Sequence, residues 1–72
     1  MTDLERLVET LKRHNETMEL QIRDGKIYGR KWHYWFEFNG KGKAIDFGVS
    51  RLEEGFNESL KRFEEELKEQ AV

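Results

Sequence analysis

An α+β domain is the fold class this 72-residue sequence predicts: two layers, with an N- and a C-terminal helix on one face of a three-stranded antiparallel sheet. Three observations predict it. Residues 2–14 and 50–67 carry apolar side chains at helical spacing. Residues 18–49 alternate with period two, and two Gly-containing turns divide them. The expected order is α-β-β-β-α, in a single domain spanning residues 1–72 with no proline and no internal repeat.

"TDLERLVETLKRH" reads as the first helix. Thr2 and Glu5 form a capping box, in which each side chain satisfies a backbone N–H at the helix start. Leu4, Leu7, Val8 and Leu11 make one apolar stripe, and Lys12, Arg13 and His14 place positive charge against the C-terminal end of the dipole. In "TMELQIRDG", Met18, Leu20 and Ile22 alternate with Glu19, Gln21 and Arg23 as a strand with one dry face. Asp24-Gly25 signals a type I′ hairpin turn.

"KIYGRKWHYWFEF" is expected to return as one long strand. Its inward parity is odd at Ile27 but even at Trp32, Tyr34, Phe36 and Phe38, so one residue must be absorbed between them. Gly29 is the expected site of that β-bulge. After the "NGKG" turn, "KAIDFGVS" supplies the third strand, with Ile45, Phe47 and Val49 inward, Phe36 opposite Ile45 and Tyr34 opposite Phe47. Ser50 and Glu53 repeat the capping box, and Leu52, Phe56, Leu60, Phe63 and Leu67 form the stripe of the last helix. Gly55 interrupts it at a cost of about 1 kcal/mol against Ala. It marks either a close approach of helix to sheet or a break with a restart near Asn57.

Composition narrows the function classes. With 36% hydrophobic and 39% charged residues, the chain is too apolar for a disordered tail and too polar for a membrane span. No signal-peptide pattern opens it and it has no cysteine, so a cytoplasmic protein held together by its core is expected. The net charge of −2 is uneven: residues 17–50 carry six basic and four acidic groups, and residues 51–72 four basic and seven acidic.

Catalysis is not expected. His14 reads as a helix-end cation and His33 as an outward strand residue, with no cysteine beside them to complete a metal site. Ser50 is a cap, Ser59 lies on a helix flank, and "GKGK" lacks the ending of a phosphate-binding loop. No cofactor is expected either. The informative stretch is "KWHYWFEFNG", which holds five of the nine aromatic residues. Trp32, Tyr34, Phe36 and Phe38 are expected in the core, leaving Lys31, His33, Trp35 and Glu37 on the outer face. There they join Glu19, Gln21 and Arg23 of the first strand and Ala44, Asp46 and Gly48 of the third. An exposed Trp35 beside Arg and His is a frequent interface anchor.

Two resemblances carry expectations. The segment "GRKWHYWFEFNGKGKAIDFGVSRLEEGFNESLKRF" resembles AP2-type and phage-integrase arm-type DNA-binding domains. Those pair a "KW" strand with a Gly-Lys turn and a capped helix. That resemblance implies a sheet face entering the DNA major groove through Arg23, Arg30, Lys31, His33, Trp35 and Lys43. In element order the whole chain is similar to small phage α-β-β-β-α proteins such as Cas9-inhibiting anti-CRISPRs. This implies a module that occupies a nucleic-acid-binding surface of a host protein, with acidic working parts at Asp46, Glu53, Glu54 and Glu64–Glu66.

The expected function is a non-catalytic protein-binding module, a phage-type inhibitor or regulator, acting through Trp35, His33, Arg23, Gln21, Glu37 and Asp46. Nucleic-acid binding through the same face is the alternative. Glu37 and Asp46 count against it, since they leave few side chains to neutralise phosphates. Self-association through an open sheet edge is the further partner expectation.

Overall fold

Thr2 starts the first helix as its side chain requires. In the computed structural model, which describes residues 1–48 and 55–70, its Oγ1 accepts from the Glu5 N–H and the Glu5 carboxylate accepts from the Thr2 N–H. These bonds also hold the Glu5 carboxyl below its ordinary pKa. Helix α1 (Asp3–Arg13) ends at Asn15, whose φ of 52° is left-handed. There the Asn15 and Glu16 N–H groups donate to the Lys12 and Leu11 carbonyls, a Schellman motif.

Four strands follow: β1 (Glu19–Arg23), β2 (Lys26–Lys31), β3 (Tyr34–Phe38) and β4 (Ala44–Gly48), and then α2 (Gly55–Gln70). They form one antiparallel sheet in the order β1-β2-β3-β4. The fold class is α+β as the sequence predicts, but the sheet has four strands where three were expected. The long second strand is two strands, folded back at Trp32-His33, and Trp32 takes a φ of 56° to make the turn.

That turn corrects two expectations. Trp32 leaves the core and is 40% exposed, its ring only edging toward Phe63 at 6.4 Å. Gly29 is no bulge, because the registers of β2 with β1 and with β3 run through it unbroken. It is small because the ends of Leu20 and Met18 lie over it, where a Cβ would meet both at 2.8 Å. Asp24-Gly25 turns as expected, with φ of 49° and 75°, both positive as a type I′ turn demands.

The bulge lies in β4. Glu37 opposes Asp46 but Phe38 opposes Ala44, so Ile45 is the extra residue. Phe36 therefore pairs with Phe47 instead of Ile45, and Trp35 with Gly48. Ile45 is 45% exposed, while Ala44 and Phe47 pack on the core. Four hydrogen bonds fix this register. The Ala44 N–H donates to Asp3 of α1, the Leu4 N–H donates to the Gly42 carbonyl, and Asn39 exchanges bonds with Lys43. Val49, Ser50, Leu52, Glu53 and Glu54 lie outside the described residues, and with them the second capping box.

Helix α2 opens at Gly55 with a φ of 78°, and a Cβ there would meet nothing within 4 Å. Backbone conformation at a helix boundary, not close approach to the sheet, is what calls for glycine. The core joins Leu7 and Leu11 of α1, Tyr34, Phe36 and Phe38 of β3, and Leu60, Phe63 and Leu67 of α2. Each large side chain buried there contributes about 1.5–3 kcal/mol. Burial pushes the Tyr34 phenol above its ordinary pKa, and its hydroxyl donates to the Arg62 carbonyl at 3.5 Å. All of this lies on one face of the sheet, which fixes the opposite face as the place to look for a site.

Candidate functional site

Hairpin parity decides what the outer face presents. Across the four strands the rows read Glu19, Arg30, Trp35, Gly48, and then Gln21, Tyr28, Glu37, Asp46, with Arg23 and Lys26 closing the first hairpin. Two aromatic rings hold the centre. Tyr28 and Trp35 stack with centroids 6.2 Å apart and planes 24° from parallel. The Arg23 guanidinium lies over the Tyr28 ring at 5.1 Å, a cation–π contact.

Gly48 lets this cluster lie flat. A Cβ on Gly48 would overlap the Trp35 indole, so the ring occupies the space a side chain would take. Trp35 is consequently half-buried rather than standing free, and Ala44, expected beside it, is on the core face. Around the rings sit three basic groups, Arg23, Lys26 and Arg30, and three acidic groups, Glu19, Glu37 and Asp46. Lys26 approaches Glu37 at 4.0 Å, and Gln21 bridges Glu19 and Arg23 by hydrogen bonds to both. Shallow hollows flank Tyr28, one lined by Glu19, Gln21, Arg23 and Arg30, the other by Arg23, Asp24, Lys26 and Glu37.

Of the residues expected to bind a protein, Trp35, Arg23, Gln21, Glu37 and Asp46 share this face. His33 does not. It belongs to the Trp32-His33 turn, with its ring 4.5 Å from that of Tyr34. Of the nucleic-acid set, Arg23, Arg30 and Trp35 are together. Lys31 points to the helix side, where it pairs with Glu16 at 3.2 Å and caps the Trp32 ring at 4.8 Å. Lys43 is in the β3–β4 loop, in a hollow shared with Met1, Thr2, Asp3 and Lys41. Tyr28 was missed, although the Asp24-Gly25 turn already fixed it opposite Gln21.

The acidic groups of α2 are partly engaged. Glu64 Oε2 accepts from Arg13 Nη2 at 2.6 Å and lies 3.2 Å from His14 Nε2. The hydrogen bond from Arg13 holds the Glu64 carboxyl below its ordinary pKa. Glu65 pairs with Lys68 at 3.5 Å. Among the described residues no group of three or more His, Cys, Asp or Glu could hold a metal ion, and no helix is long and apolar enough to cross a membrane. Compared with protein-family models, curated proteins and solved structures, the chain matches none.

Proposed function

We propose that this chain is a non-catalytic protein-binding module whose contact surface is the outer sheet face centred on Tyr28 and Trp35. The observation that carries the reading is the stacked pair held flat by Gly48 within a ring of three basic and three acidic side chains. Flat aromatic area supplies contact at low entropy cost, and alternating charge sets orientation against a partner of mixed charge. A duplex would instead require an excess of cations to displace its counterions. Here Lys26 lies 4.0 Å from the opposite charge of Glu37, and two of the expected cations, Lys31 and Lys43, are elsewhere. Occupying a surface of a larger protein, as an inhibitor or regulator, is the role a module this small fills without chemistry of its own.

The test compares wild type with Trp35→Ala and Tyr28→Ser, each immobilised and exposed to host lysate. The same proteins are then titrated with duplex DNA over a range of salt. A protein captured by wild type and lost from both variants, with no DNA binding, is the expected result. Micromolar DNA affinity that falls with salt and disappears in Trp35→Ala and Arg30→Glu would replace the protein reading with the nucleic-acid one.

A further inference from the structure

The two edges of the sheet are treated differently. At β4 the strand is bulged at Ile45, and two backbone N–H groups are taken by carboxylates, that of Ala44 by Asp3 and that of Phe47 by Asp46. Strand β1 has no bulge, no proline and no lysine, and every one of its residues is exposed. In a two-residue hairpin the pair flanking the turn is hydrogen-bonded, so Arg23, Gln21 and Glu19 turn their backbone groups toward β2. Leu20 and Ile22 turn theirs to the open edge. Their side chains lie on the helix side of the sheet, yet among the described residues neither helix covers them, and they are 49% and 80% exposed.

The sequence of β1, "ELQIR", is complementary to itself when read antiparallel. With Gln21 opposite Gln21 of a second copy, Leu20 meets Ile22 and Glu19 meets Arg23, each twice. The Leu20–Ile22 pairs are then the hydrogen-bonded ones, as the open edge requires, and the apolar side chains cover each other on the helix side. A centre at Leu20 or at Ile22 still sets apolar residues against each other but puts Gln21 opposite Glu19 or Arg23, and so loses the charge match. Within one chain Arg23 faces Lys26, a like charge, and among the described residues neither Arg23 nor Glu19 forms an ion pair. Glu19 has Arg30 across from it, so Arg23 is the group whose cross-strand neighbour is a like charge and for which a second copy's Glu19 would be the opposite one.

We propose that two copies of this chain pair antiparallel through β1, about a two-fold axis at Gln21, and merge their sheets into one. The pairing borders the outer face through Glu19, Gln21 and Arg23 but makes no use of Tyr28 or Trp35. A five-residue strand on each side is a small interface, so a dissociation constant on the order of 10–100 μM is expected.

Sedimentation velocity between roughly 1 and 500 μM should show wild type passing from monomer to dimer. Arg23→Glu alone, or Glu19→Arg alone, sets like charges at both ends of the interface and should weaken association at least about tenfold. Mixed in equal amounts, the two variants restore opposite charges at both ends and should form a heterodimer as tight as the wild-type dimer. Arg23→Glu also relieves the contact with Lys26, so its melting temperature should hold or rise while the dimer is lost, separating association from folding. Gln21→Cys, the only thiol in the chain, should oxidise to a covalent dimer, because opposed residues of a non-hydrogen-bonded pair lie about 4.5 Å apart at Cα. Ile22→Cys should not, since it faces Leu20. A wild type monomeric throughout, a mixture no tighter than its components, or faster crosslinking at position 22 than at 21 would each overturn the proposal.

Discussion

Gly48 shapes the outer face by what it lacks. With no side chain there, the Trp35 indole lies against the strand and reaches its stack with Tyr28. Gly48→Ala must lift that ring, and forcing a methyl into an occupied space costs about 1–3 kcal/mol. In a Trp32→Phe background, which removes the other indole, Gly48→Ala should red-shift the Trp35 emission and weaken the near-ultraviolet circular dichroism of the stack. An unchanged spectrum would mean the ring is held by something other than the vacancy at Gly48. Trp32 shows the opposite economy, since a bulky residue takes a left-handed φ that glycine or asparagine normally supplies.

At the scale of elements, Glu64 ties α2 to the end of α1 through Arg13 and His14. Arg13 is 60% exposed, so solvent screening limits the pair to about 0.2–1 kcal/mol. Because the folded pKa of Glu64 is depressed, its contribution is fully present above the ordinary glutamate range and is lost as pH falls through the lowered folded value. Glu64→Gln should therefore lower the melting temperature at pH 7 and leave it nearly unchanged in strong acid. An equal loss at both pH values would assign the effect to packing.

Helix α1, its N-cap and the first hairpin were legible because each carries its own local signal: a stripe, a capping box, Asp24-Gly25. The second hairpin was not. Nothing at Trp32-His33 resembles a turn, and the even parity of Trp32, Tyr34, Phe36 and Phe38 reads naturally as one strand. The β4 bulge was invisible for a similar reason, since Ile45 looks like a core residue until Asp3 and Leu4 of α1 fix Ala44 and Gly42 in place. Both errors came from long-range constraints on residues whose local pattern pointed the other way. The outer face survived them, because Trp35, Glu37 and Gln21 keep their parity whichever way the aromatic stretch is divided. His33 and Lys31 did not, since they flank the unforeseen turn.

For the molecule as a whole, the asymmetry of its sheet decides how large an assembly can grow. A body with two adhesive ends adds copies without limit, whereas a body with one stops when two have met. The extra residue at Ile45, with the carboxylates of Asp3 and Asp46, takes the second end away. Deleting Ile45 together with Asp3→Ala and Asp46→Val should restore it. The expected product is filaments, seen as concentration-dependent light scattering and as fibres in electron micrographs. A variant that remains dimeric would show that β4 is guarded by more than these three residues. Under the proposed pairing, the bulge in β4 is a stop signal that would limit the merged sheet to two copies.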